Sequence, residues 1–379
     1  MTTVVYVDYN ATTPIDPEVY EAMRPYLTLR FGNPSSHHAY GRTAALALEE
    51  ARGQVADLIG ARSGEIVFTS GGTESNNLAI RGHGLSAGRI VTSAVEHPSV
   101  AGPVRCLVDE GWRHDVLPVD ATGRIDLDAA RSILSTPADV VSVIAAQNET
   151  GVVQPVAEIA ALARAANPDV VVHTDAAQAA GKIPVDVGEL GVDLATIVSH
   201  KMYGPKGVGA LFVRGHRIRR PLMVGGGQEA GVRPGTEPVA AIVGFGAACA
   251  RARHLLADEA VRLAGLRERL WSKLSARITG LRRTVPEDVE TLPNTLHVLF
   301  PDCDAVDLLA AADTVAASVG AACHAGRDTA SAALLAMGLS SDEAWGAMRL
   351  SLGRFTTAAE IERIVHDLVE AYLRISRDD

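Results

Sequence analysis

Short apolar runs separated by stretches of helical periodicity fill the first two thirds of the chain. Glu65–Thr69, Arg89–Ser93, Val140–Ala145, Val170–Thr174, Ala195–Val198 and Val208–Val213 read as strands. Ala44–Leu58, Glu74–Leu85 and Val156–Ala166 read as helices between them. The runs are nearly continuous in Val, Ile and Ala, as expected of strands covered on both faces. The alternation predicts an α/β fold with a largely parallel sheet and helices on both sides. From Gly235 to Ala276 the pattern turns long and helical, a bridge out of the sheet region. Beyond it, Asn294–Phe300 and a closing helix over Ala358–Arg374 predict a smaller α+β domain joined by the N-terminal arm. The expected division is a large domain over 14–250 and a small one built from 1–13 and 251–379.

At 379 residues the chain suits about two domains. With 21% charged residues and a net charge of −10, it lacks the clustered cations that general nucleic-acid or anionic-membrane binding needs. The basic run Arg214–Arg220 fits a solvated turn or a partner contact. No uninterrupted apolar segment reaches the roughly 18 residues of a membrane span, and the N-terminal residues do not read as a signal peptide. Cys106, Cys249, Cys303 and Cys323 lie far apart, in no metal-like spacing, so reduced thiols, a cytoplasmic location and no metal site are expected.

Chemistry concentrates at the ends of the predicted strands. The run Asp169–Thr174 leads into Asp175, and Leu194–Val198 leads into Ser199-His200-Lys201-Met202-Tyr203-Gly204-Pro205-Lys206-Gly207. Ligands of open α/β sheets sit at the carboxyl ends of the strands. Taken singly, Asp175 fits a helix cap and Lys201 a surface charge. Together they match the needs of pyridoxal 5'-phosphate: an amine for a Schiff base at one end and a carboxylate on the pyridinium nitrogen at the other. Ser70-Gly71-Gly72-Thr73-Glu74 adds a strand, two glycines and a helix start, a turn that fits either a plain capped helix or a phosphate site.

With these motifs, and over most of its length from Tyr9-Asn10-Ala11-Thr12-Thr13-Pro14 to Ser351–Thr357, the chain resembles the cysteine desulfurase and selenocysteine lyase family, pyridoxal-phosphate enzymes of fold type I. The resemblance implies a large domain with a mostly parallel seven-stranded sheet and a smaller α+β domain. It implies that Gly72 and Thr73 meet the cofactor phosphate with help from Ser199 and His200, and that Thr236 reaches the phosphate of a neighbouring subunit, so that a homodimer shares its active sites. His97 would stack on the ring and move protons, and Gln178 would bond the ring hydroxyl oxygen. Asn148 and Arg349 would hold the substrate carboxylate; without the other motifs, Arg349 reads as an ordinary helix-end cation. Cys323, in a small-residue stretch that favours an exposed loop, would take sulfur from L-cysteine as a persulfide and pass it to a protein acceptor, leaving L-alanine. One departure bears on substrate. Desulfurases of this kind carry Ser-Gly-Ser-Ala-Cys-Thr-Ser around the nucleophile, whereas Ser318-Val319-Gly320-Ala321-Ala322-Cys323-His324-Ala325 is more similar to selenocysteine lyases, and Arg233–Glu237 leans the same way. L-selenocysteine is therefore the alternative substrate, and another pyridoxal-phosphate lyase or aminotransferase the more distant one.

Overall fold

A computed structural model describes residues 4–319 and 330–375. Its strands are Val5–Tyr6 (β1), Ile66–Thr69 (β2), Arg89–Ser93 (β3), Arg113–Leu117 (β4), Val140–Ile144 (β5), Val171–Asp175 (β6), Leu194–Val198 (β7), Gly209–Val213 (β8), Arg282–Arg283 (β9), Thr295–Leu299 (β10), Val315–Ala316 (β11), Ser318–Val319 (β12) and Ala347–Ser351 (β13). The helices are Pro17–Thr28 (α1), Ala39–Leu58 (α2), Gly72–Arg81 (α3), Pro98–Asp109 (α4), Leu127–Leu134 (α5), Val156–Ala166 (α6), Val239–Ser275 (α7), Ala305–Ala311 (α8), Ala332–Ala336 (α9), Ser341–Trp345 (α10) and Ala358–Ile375 (α11).

β2 to β8 form a seven-stranded sheet in the order β2-β8-β7-β6-β5-β3-β4. β8 runs antiparallel to β2 and β7, and every other pairing is parallel. Successive side chains of a strand point to opposite faces, and this sorts the apolar runs into two layers. Val141, Val143, Val172, Ala195, Ile197, Ala210 and Phe212 face a core shared with α1, α2, α5, α6 and α7, whereas Val140, Val171, Leu194, Leu211 and Val213 face α3 and α4. This is the expected α/β architecture.

A second core gathers Val5 and Val7, the distal part of α7, β10, α8, β13 and α11. α7 runs through both: Ile242, Phe245, Ala248, Cys249 and Ala252 lie in the sheet core, and Leu263, Leu270 and Leu274 in the second. By length and composition α7 is apolar enough to cross a membrane, but it packs along α1 and α2. Cys106, Cys249 and Cys303 are free thiols.

The differences from the sequence reading have local causes. β4 was not expected, because Arg113, His114 and Asp115 are polar and only Leu117 is buried; it is one of the sheet's two edge strands. α3 ends at Arg81 and not at Leu85, since Gly84 takes φ +79° and His83 turns in against Trp112. Arg349 is no helix-end cation. It lies inside β13, opposite His297 on β10 and Ser318 on β12.

Candidate active site

The carboxyl ends of β3, β6 and β7 and the end of β2 meet at one side of the sheet, where a cavity of about 400 Å³ opens. Lys201 stands in the turn Ser199–Lys201 that follows β7, and Asp175 closes β6, its neighbour. Both line the cavity, together with Gly72, Thr73, His97 and Arg349.

Lys201 Nζ donates to the backbone oxygens of Asn10 (2.5 Å) and Ala11 (2.8 Å). Burial, helped by the Arg349 guanidinium and partly offset by Asp175 and Asp8, lowers its pKa from 10.5 to about 8. The amine is therefore neutral in a useful fraction near physiological pH. Asp175 Oδ1 accepts from Ala177 N–H (3.0 Å), and Oδ2 accepts from Asn76 Nδ2 (2.7 Å). Asn76 Nδ2 also donates to Ser99 Oγ (2.7 Å), which lies 2.7 Å from His97 Nδ1. His97 caps α4 by accepting from Ser99 N–H at Nδ1, which places a neutral ring's proton on Nε2. Beside it, burial pushes Glu96 up to about 8, although its Oε1 accepts from Ser93 Oγ and Ile144 N–H.

The opposite wall is the start of α3. Gly71 adopts φ 147°, ψ −171°, a backbone region open in practice only to glycine. A Cβ on Gly72 would meet Val198 Cγ2 at 2.9 Å, so the first turn of α3 lies directly against the end of β7. Its unpaired N–H groups and positive dipole end favour an anion there. Glu74 in that turn is held by Arg233 (2.9 Å) and by Ser70 N–H (2.7 Å).

Gln178 is buried, its Nε2 donating to the Asn10 oxygen (2.8 Å) and its Oε1 accepting from Lys182 Nζ (2.5 Å). His200 lies on the cavity wall, with Nδ1 3.2 Å from Thr12 Oγ1; burial and the charge of Lys201 bring its pKa down to about 4. Arg349 Nη1 donates to the backbone oxygen of Asn148 (2.8 Å), and both residues line the cavity. Two residues expected at the phosphate stand apart from the wall. Ser199 is fully buried, packed against Gly204, with Oγ lacking a hydrogen-bond partner among the described residues. Thr236 is exposed, close in sequence to the Arg233–Glu74 pair. Cys323 lies outside the described residues.

Sequence reasoning assigned no role to Asn10, Asn76, Ser99 or Lys182. Asn10 is a hub: Lys182 Nζ and Asn294 Nδ2 donate to its Oδ1, and its Nδ2 donates to Thr295 Oγ1 (2.8 Å). The available signal was its position in Tyr9–Pro14, a motif far from the strand ends in sequence. Asn76 was legible in principle, since three residues after Thr73 it stands one helical turn along α3.

The class-V aminotransferase family model matches residues 5–364. Cysteine desulfurase IscS of Anaeromyxobacter sp. (strain Fw109-5) is 45% identical over 374 residues, covering 97% of this chain and 92% of that protein. The chain belongs to the cysteine desulfurase family. The mitochondrial cysteine desulfurase of Arthroderma benhamiae is 42% identical, over 97% of this chain and 74% of that one. Among solved structures, a NifS-like protein superposes with a TM-score of 0.89 at 35% identity, covering 97% of this chain and 99% of the other. SspA, solved in complex with cysteine, gives 0.81 at 34% identity, over 93% and 99%. Membership in this family and the fold-type-I architecture are thus as the sequence led one to expect.

Proposed function

We propose that this cysteine desulfurase family member uses pyridoxal 5'-phosphate to convert L-cysteine to L-alanine and to pass the sulfur, held as a Cys323 persulfide, to a protein acceptor. The observation that carries the reading is the facing pair Lys201 and Asp175 on one cavity, at the ends of adjacent strands. The donor set fits the cofactor. A half-buried amine with a lowered pKa suits its aldehyde, a fixed carboxylate suits its ring nitrogen, and the glycine-lined start of α3 suits its phosphate.

When bound, the cofactor supplies an electron sink for charge developing at the substrate α-carbon. Lys201 Nζ would hold the aldehyde and, once the substrate amine has taken its place there, would accept the α-proton as the freed neutral amine. Asp175, oriented by Asn76 and the Ala177 N–H, would hold a proton on the ring nitrogen. His97 would stack on the ring, with Nε2 as its proton-carrying atom. Gln178 Nε2 would bond the ring hydroxyl oxygen, and Arg349 with Asn148 would bind the substrate carboxylate. Gly72, Thr73 and His200, which line the cavity, would hold the phosphate with Ser199 buried behind them, and Thr236 would reach that of a second subunit in a homodimer. The protein would comprise a large domain over 14–250 and a small one from 1–13 and 251–379, in a cytoplasmic setting.

A second reading has a specific sequence basis: His324 and Ala325 after Cys323 point toward L-selenocysteine. Purified protein supplied with pyridoxal phosphate is expected to gain absorbance at the edge of the visible, and Lys201→Ala to lose it. No such band in the wild type defeats the cofactor assignment. Alanine release from L-cysteine should collapse in Cys323→Ser. Unchanged turnover rules out the persulfide route, and a wild type active on L-selenocysteine alone favours the second reading.

A further inference from the structure

Arg349 is buried at 7% exposure inside β13 and reaches two openings, the cavity of Lys201 and a wider one of about 870 Å³ beside it. Its guanidinium is already engaged. Nη1 donates to the Asn148 oxygen, while Nη2 donates to Asp8 Oδ1 (2.6 Å) and to Ser318 Oγ (2.8 Å). Ser318 Oγ in turn donates to the same Asp8 oxygen (3.0 Å), closing a triangle. Nε is buried and has no partner among the described residues.

This geometry has a stereochemical consequence. A guanidinium offers a carboxylate two chelating edges, Nη1 with Nη2 and Nη2 with Nε, and both include Nη2. The two hydrogens of Nη2 are taken by Asp8 and Ser318. An arriving carboxylate can therefore chelate on neither edge until one of these partners leaves, although the open Nε marks where it would extend its grip. Asp8 is the charged partner, and it stands on the N-terminal arm rather than on β13. The Asp8 backbone is fixed independently, its oxygen accepting from Tyr6 Oη and from Ala11 N–H (both 2.9 Å). Its side chain can thus swing aside without unseating the arm.

We propose that Asp8 is a specificity-determining residue, a built-in carboxylate that occupies Arg349 until a substrate carboxylate displaces it. The inference rests on the assignment of Arg349 to the substrate carboxylate. A ligand with a single weak anionic contact cannot exchange for Asp8 and Ser318, whereas an α-amino acid anchored at its amine can. The site is thereby closed to stray carboxylates at a cost in affinity for the proper one.

The test measures binding of 3-mercaptopropionate, which has the thiol and carboxylate of cysteine but no amine, to cofactor-loaded protein by calorimetry, with 2-mercaptoethylamine as the probe lacking a carboxylate. Asp8→Asn is expected to tighten 3-mercaptopropionate about tenfold and to lower KM for L-cysteine, leaving 2-mercaptoethylamine unchanged. Ser318→Ala, which frees the second Nη2 hydrogen and keeps the charge of Asp8, is expected to tighten it about threefold. A purely structural Asp8 predicts the opposite sign. Unchanged or weaker binding in Asp8→Asn, or a gain that Ser318→Ala does not share, overturns the proposal. Should Asp8→Asn fail to fold, Asp8→Ser carries the same test. If adding Arg349→Gln to Asp8→Asn leaves the affinity for 3-mercaptopropionate as it is in Asp8→Asn, the parent assignment of Arg349 fails instead, a result distinct from either.

Discussion

The decisive side chain is an amine that the fold has made less basic. Lys201 is largely buried and near a second cation, Arg349; among the described residues its Nζ hydrogen-bonds only backbone oxygens, so burial outweighs the more distant carboxylates Asp175 and Asp8. Only the neutral amine attacks an aldehyde, so covalent loading of cofactor-free protein with pyridoxal phosphate should speed up as pH rises through about 8 and level off above it. Arg349→Gln should move that midpoint upward, because it removes a charge that disfavours the ammonium. Stopped-flow absorbance across pH checks both, and a wild-type midpoint near 10.5 would show that Lys201 is solvated like any surface lysine. At this scale the sequence was informative where chemistry follows a strand end. Lys201, Asp175, His97 and Gly72 were found that way. Asn10, Asp8 and Lys182 were not, because their partners lie far off along the chain: Asn10 meets Lys182, Asn294 and Thr295, and Asp8 meets Ser318 and Arg349.

Elements place these residues through their ends, and the tightest of those ends is the turn from β2 into α3. Gly71 occupies a conformation that costs a residue with a Cβ about 1–3 kcal/mol, so Gly71→Ala should lower stability by that amount. The same change tilts the first N–H groups of α3 away from the cavity, and the dissociation constant for pyridoxal phosphate should rise with it. Gly64, where an added Cβ meets nothing within 4 Å, is the control; Gly64→Ala should stay within about 0.5 kcal/mol of the wild type. Equal effects of the two substitutions in urea unfolding and cofactor titration would remove the special role of the turn. The six strands read from sequence are those with buried apolar runs, including β5, β6, β7 and β8, every residue of which is buried. β4 and β13 escaped for opposite reasons. β4 is an edge strand with too few apolar residues, whereas Ala347-Met348-Arg349-Leu350-Ser351 carries an arginine at its centre that only the Asp8, Ser318 and Asn148 contacts make tolerable in a buried strand.

Across the whole molecule two cores share one helix and, less visibly, one liability. Each holds a histidine that is neutral when folded. His173, in β6, lies between Ser142 (2.8 Å) and Thr196 (3.1 Å), and burial takes its pKa to about 4. His297, in β10, bonds Thr284 Oγ1 (2.7 Å), and burial with the charge of Arg349 takes it to about 3. Unfolded, both rings bind a proton near 6.5. Between that value and the folded pKa the unfolded chain holds more protons than the native one, so stability is complete above pH 6.5 and declines as pH falls. At pH 5 each histidine should cost about 2 kcal/mol relative to pH 8. Because the two sit in different cores, acid weakens both at once, and the protein should lose its sheet core and its second core over the same pH range. Urea unfolding at pH 8 and pH 5 reads the total. Replacing His173 with Asn, or His297 with Gln, should flatten the pH dependence by roughly the one residue's share, whatever it does to stability at pH 8. A pH dependence as steep in the double variant as in the wild type would assign acid sensitivity to other groups, His200 or carboxylate ion pairs such as Arg354 with Asp16 and Glu259, instead of to the two buried rings.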